Sequence, residues 1–217
     1  MPRKKTIKKT DPRYIESLIG ESSVGVGLMT VLTGISLLFS GIVLNRENIT
    51  PFLLPAIFLI ISTFAFFFSA LLYANASGLA GRLDIQTTKD NKKINAEKAL
   101  TVGNSISEYL GVFPFLTAVP LSVWALTSDL LITGITLLID VVLLAYYQFS
   151  GIGISRRQLR SDGHRLFSYS FILLMSTGIV LVTQNSGIGE VLLFAELVLL
   201  LFAVFIAVTQ NPEEQLD

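Results

Sequence analysis

The chain contains no cysteine, which excludes disulfides, thiol nucleophiles, cysteine-ligated metals and palmitoylation together. Histidine is nearly as scarce. His164 stands alone, so a site built from several imidazoles is excluded, and a Ser-His hydrolase would have to work from a helix mouth. Charge is thin as well: 15% of 217 residues, against 52% hydrophobic residues and a mean hydropathy of +0.66. A soluble domain of this length needs more polar surface, so the expected solvent is a bilayer. The formal net charge of zero offers no basic field, and nucleic acid is not expected as a partner. Glycine pairs such as Gly151-Ile152-Gly153 lack the third glycine of a dinucleotide fingerprint. No catalytic motif stands out, and no cofactor or resident metal is expected.

What the sequence does hold is long apolar runs. A span needs about 20 mostly apolar residues to cross roughly 30 Å of hydrocarbon, and six stretches qualify: 24–44, 51–73, 100–126, 130–149, 166–183 and 188–208. They are too long for barrel strands and lack in-out alternation, so helices are expected. The fold class expected is therefore all-α, a polytopic bundle of six transmembrane helices over 24–209. A basic tail precedes it over 1–23 and an acidic tail follows over 210–217. The first apolar run is too long for a signal-peptide core and lacks an A-x-A-like cleavage site, and is read as a retained span. Thr50 and Pro51 suit an N-cap followed by proline at the first helical position, and Ser128 with Asp129 suits a cap for the fourth span.

Orientation follows from the sixteen Lys and Arg residues. Six fall in the N-terminal tail, five between spans two and three, and four between spans four and five; only Arg46 falls on the other side. Cytoplasmic flanks collect cations, so both termini are expected in the cytoplasm. The spans would then form three hairpins with short outer turns. The expected location is a prokaryotic plasma membrane. Arg156, Arg157 and Arg160 lie in a basic membrane-proximal segment and are candidates for lipid headgroup contact. The polar stretch 86–98 reads as a solvated connector.

Small residues mark expected packing faces. Gly20, Gly27, Gly34 and Gly41 recur every seven residues, a period that keeps one helix face against a partner helix. Packing within the chain is the expectation for this face, with a homodimer seam as the alternative. In span three, Gly103, Ser107 and Gly111 share a face, and Asn104 and Glu108 stand one turn apart. Pro114 and Pro120 then interrupt the backbone ladder, freeing carbonyls near Leu110 and Leu116.

Glu108, Asp140 and Glu196 each sit deep in a different apolar run, with no Lys or Arg inside any run. At ~1.5 Å per residue they lie roughly 12, 15 and 12 Å from the starts of their spans, in the middle band of a bilayer. A charge there costs at least ~2.5 kcal/mol, so such a group is expected to face the protein interior. Each must be protonated, hydrogen-bonded or balanced by a cation. With Asn104, these three are candidates for binding a proton or small cation. The expected function is a small proton- or cation-handling carrier or channel subunit, with the lipid bilayer and a homo-oligomer or membrane-protein partner around it. The alternative is a non-transporting scaffold or accessory subunit in which the carboxyls only join helices.

Overall fold

The computed structural model describes residues 12–46, 50–83, 90–149 and 161–209. These are helical throughout apart from short turns: α1 (Pro12–Leu44), a 3-10 turn (Thr50–Phe52), α2 (Leu53–Leu83), α3 (Asp90–Ile106), a π-helical segment (Ser107–Val112), α4 (Phe113–Thr127), α5 (Leu130–Phe149), α6 (Ser161–Thr183) and α7 (Gly187–Thr209). Four stretches are long and apolar enough to cross a membrane: Glu16–Leu44, Thr50–Ala80, Ala96–Thr127 and Gly187–Thr209. Leu130–Tyr146 and Tyr169–Thr183 are shorter apolar stretches within α5 and α6. Arg156, Arg157, Arg160 and the residues 1–11 and 210–217 lie outside the described residues.

Several boundaries differ from expectation. α1 begins at Pro12, well ahead of the apolar run at 24, so part of the expected basic tail is helix. α2, by contrast, runs past Tyr73 to Leu83 along the small residues Ala74, Ser77, Gly78 and Gly81, from which such a continuation is expected. α3 begins at Asp90, which makes most of the expected connector helical. The reason is local: Asp90 suits a positive helix start, Lys93 and Glu97 stand at i, i+4, and Ala96 and Ala99 are strong helix formers. Thr50 and Pro51 open a 3-10 turn rather than entering an α-helix directly.

The turns are tightly specified. Asp129 Oδ1 accepts hydrogen bonds from the Leu131 and Ile132 N–H groups at 2.8 and 3.1 Å, satisfying two donors at the start of α5. Ser128 closes α4 in the left-handed region (φ 50°), its N–H bonding the Trp124 carbonyl. Asn185 takes the same conformation (φ 56°) between α6 and α7.

Two clusters form the core. One joins Val43, Phe58, Leu59, Tyr109, Phe113, Leu144, Phe171, Met175 and Leu193, drawn from α1, α2, the π segment, α4, α5, α6 and α7. Within it Phe113 and Phe171 have ring centroids 4.7 Å apart, and Tyr109 meets Phe167 edge-on at 5.3 Å, spacings at which aromatic pairs add to plain burial. The other joins Leu18, Phe66, Tyr73, Ala76, Ala80, Ala96 and Leu100 from α1, α2 and α3. Its alanines let those helices approach closely.

α1 packs on α2 through Ser22, Met29, Ser36 and Val43, all buried and seven residues apart. Ser36 Oγ donates to the Leu59 carbonyl at 3.1 Å, and Thr63 Oγ1 donates to Ser36 Oγ at 2.9 Å. The glycine heptad is a correction to the expected in-chain packing. Gly27, Gly34 and Gly41 are exposed, and a Cβ built on any of them would meet nothing within 4 Å. The serine series is offset from the glycines by two residues, about 200° around the helix, so burying one series turns the other outward.

Candidate functional site

The polar residues cluster along one rod made of α3, the π segment and α4. Proline has no N–H to offer the carbonyl four residues earlier, so one hydrogen bond of the α-helical ladder is lost at Pro114. The chain meets this by widening over Ser107–Val112, where the Phe113 N–H bonds the Glu108 carbonyl five residues back. Such π turns rotate the residues they contain relative to the helix on either side. Glu108 and Tyr109 both lie in this segment, buried at 1% and 0% exposure.

α2 lies directly against this rod because glycines leave room. A Cβ on Gly111 would stand 2.4 Å from the Phe66 ring, and one on Gly103 would stand 3.3 Å from Leu72 and from Tyr73 Cε1. Ser107 is buried between them in sequence. Tyr73 also reaches α1: a Cβ on Gly25 would stand 2.9 Å from its Cδ2. The ring therefore presents one edge to α1 and the opposite edge to α3. Its hydroxyl donates to Asn104 Oδ1 and lies 3.4 Å from Ser107 Oγ.

Further along the rod, Thr117 Oγ1 lies 2.5 Å from Glu196 Oε1 and 3.2 Å from the Phe113 carbonyl. Glu196 is fully buried, and its Oε2 has no hydrogen-bond partner among the described residues. A hydroxyl carries one proton and two lone pairs. Thr117 can give its proton to an ionised Glu196, or give it to Phe113 and accept one from a protonated Glu196. Both states of the carboxyl are accommodated by rotating one hydroxyl.

Asp140 is separate. It is 5% exposed on α5, a helix that packs on α4 and α6, and its Oδ2 has no partner among the described residues. Thr133, two turns earlier on the same face, is buried with its Oγ1 likewise unpartnered among them. The three carboxyls thus all point inward without converging. Glu108 and Thr117 are nine residues apart, about 13 Å along the rod. Among the described residues no three acidic or imidazole groups are placed to hold a metal ion.

Sequence reasoning did not single out Tyr73 or Thr117. Tyr73 carried a faint signal as a polar-tipped ring at the edge of an apolar run, and Thr117 as a hydroxyl between two prolines. Neither is distinguishable in a sequence from ordinary membrane-helix residues. The fold and site define the broad class: a helical chain with apolar helices long enough to cross a membrane and acidic groups enclosed between its helices. No family model matches the chain, and no curated protein or solved structure does either.

Proposed function

We propose that the chain is a six-span membrane protein of three hairpins, both termini cytoplasmic, that moves protons by way of carboxyls buried between its helices. Contacts of Gly25 and Gly103 with Tyr73, of Gly111 with Phe66, and of Gly178 with Leu193 support antiparallel neighbours. The tight turns at Ser128 and Asn185 support short outer connections, and the distribution of basic residues supports the direction. The observation that carries the functional reading is the Thr117–Glu196 pair. A fully buried acid in hydrocarbon, bonded to one hydroxyl that serves both of its protonation states, is suited to bind and release a proton rather than merely to join helices. A metal cation would need more oxygen ligands than this pair supplies.

Purified protein in proteoliposomes, with a pH-sensitive dye inside, tests this. An imposed gradient collapses faster than in empty liposomes, and Glu196→Gln removes the difference while the protein stays folded. Unchanged flux in that variant refutes the reading.

A second reading is favoured by the exposed face of Gly27, Gly34 and Gly41. In it the chain assembles with a further helix through α1, as a self-associating unit or an accessory subunit, and the carboxyls serve only structure. Disulfide cross-linking of Gly34→Cys between copies, in a chain with no other thiol, reports self-association directly.

A further inference from the structure

The Thr117–Glu196 bond joins two helices far apart in sequence, so the depth and rotation of α7 must be set by its packing. The buried face of α7 is Gly189, Leu193, Glu196, Leu200, Ala203 and Ala207, a stripe at helical spacing on which Glu196 lies two turns beyond Gly189. At Gly189 this stripe meets backbone. A Cβ there would stand 2.5 Å from the Val182 nitrogen, 2.8 Å from the Gly178 carbonyl oxygen and 2.9 Å from the Leu181 carbonyl carbon, all in α6. One turn further on, the Leu193 side chain fills the place that a Cβ on Gly178 would take, with its Cδ2 at 2.7 Å. α7 is thus keyed into α6 at two successive turns, and the next residue on the stripe is Glu196. The connection before these keys is closely bonded. The Asn185 and Ser186 N–H groups reach back to the Val182 and Leu181 carbonyls at 2.9 and 3.0 Å, and the Gly189 N–H bonds the Ser186 carbonyl at 2.9 Å.

We propose that Gly189 is a positioning residue for proton exchange: its direct seat on the α6 backbone holds the Glu196 carboxyl within reach of Thr117. The proposal rests on the proton-handling reading and adds to it the contact that keeps the central pair in register. Ordinary van der Waals contact begins at 3.4 Å, so a methyl group at 189, only 2.5 Å from the Val182 nitrogen, forces the two backbones apart by about 0.9 Å. The Thr117 and Glu196 oxygens are 2.5 Å apart, and the same displacement there carries them past the roughly 3.0 Å at which O–H···O bonds end. At Gly178 the closest neighbour is the tip of a leucine, which can turn aside, so the same substitution acts more weakly there.

The infrared band of the protonated Glu196 carboxyl, identified as the one missing from Glu196→Gln, reads this bond without turnover. Its C=O stretch rises in frequency when a hydrogen bond to the group is lost. Gly189→Ala is expected to raise the band as far as Thr117→Val does, and to cut proton flux in proteoliposomes at least about tenfold, as misplacement by about an ångström can. Alanine favours a helix more than glycine does, so neither effect comes from loss of helix formation. Gly178→Ala moves the band the same way by less. Gly187→Ala, whose Cβ has nothing within 4 Å, leaves band and flux unchanged. A band raised by Thr117→Val but unmoved in Gly189→Ala overturns the proposal and leaves the proton-handling reading standing. If Gly189→Ala does not fold, an unmoved band in Gly178→Ala overturns it instead. A raised band in Gly189→Ala beside intact flux in Glu196→Gln removes the transport reading and leaves the positioning role.

Discussion

At the scale of single residues, many of the described hydroxyls do nothing unusual. Ser22, Thr30, Thr33, Ser40 and Ser62 all bond the carbonyl one turn earlier in their own helix, the ordinary fate of such groups in apolar surroundings. Thr117 makes that bond too, but its second contact is a buried carboxyl. Thr117→Val should therefore lower stability against unfolding in detergent by about 0.6 kcal/mol, a typical interhelical hydrogen bond in membranes. Thr117→Ser should restore both stability and flux. A melt of each variant beside the flux measurement checks this, and an unaltered melt for Thr117→Val would mean that the pair carries no weight. That Glu108, Asp140 and Glu196 face inward was legible from the cost of charge in hydrocarbon. Which partner each would find was not, because partners such as Thr117 come from distant parts of the chain.

At the scale of helices, periodicity identified two sets of small residues and the structure treats them oppositely. Gly103 and Gly111 lie against α2, whereas Gly27, Gly34 and Gly41 face away from the chain. A seven-residue period is equally present in Ser22, Met29, Ser36 and Val43, so the sequence revealed a stripe on α1 but not which of two opposed stripes is buried. Alanine at each set separates them. Gly111→Ala puts a methyl group onto Phe66 and should cost about 1–3 kcal/mol, as overpacking does. Gly34→Ala should leave the monomer's stability undiminished, and any loss of self-association in that variant, read from its oligomeric state in detergent, would come from the assembled state alone. The prolines were legible as interruptions, but the widened turn that absorbs Pro114 was not, since proline can also be met by a simple kink. Pro114→Ala restores the missing N–H and should let the rod return to a regular α-helix, rotating Glu108 out of register. The expected outcome is a folded protein, intact by circular dichroism, with flux reduced at least about tenfold.

At the scale of the whole molecule, four of the six expected spans stand as helices long and apolar enough to cross a membrane, and the other two hold shorter apolar stretches within α5 and α6. The six-span reading therefore leans on the alternation of charged connectors. Single cysteines at Asn45, Ser128 and Asn185 should react with an impermeant reagent added outside intact cells, and one at Glu97 only after permeabilisation. Labelling of Asn45 and Ser128 from opposite sides would dismantle the three-hairpin arrangement. The two core clusters divide the bundle unevenly. The aromatic one knits the π segment, α4, α5, α6 and α7 to Val43 of α1 and to Phe58 and Leu59 of α2, while the alanine-rich one binds other parts of α1 and α2 to α3. Tyr73 belongs to the second, Tyr109 to the first, and the π segment stands at their junction.

α2 has 31 residues, so it is about 47 Å long, where a hydrocarbon layer is roughly 30 Å thick. It continues as one helix from the Phe66 contact through Tyr73 to the alanines at 76 and 80, which pack against Ala96 and Leu100. No break in the helix separates the stretch around Phe66 from the stretch around Ala80. A pull or twist applied at either end of α2 is therefore carried along one unbroken rod past Tyr73.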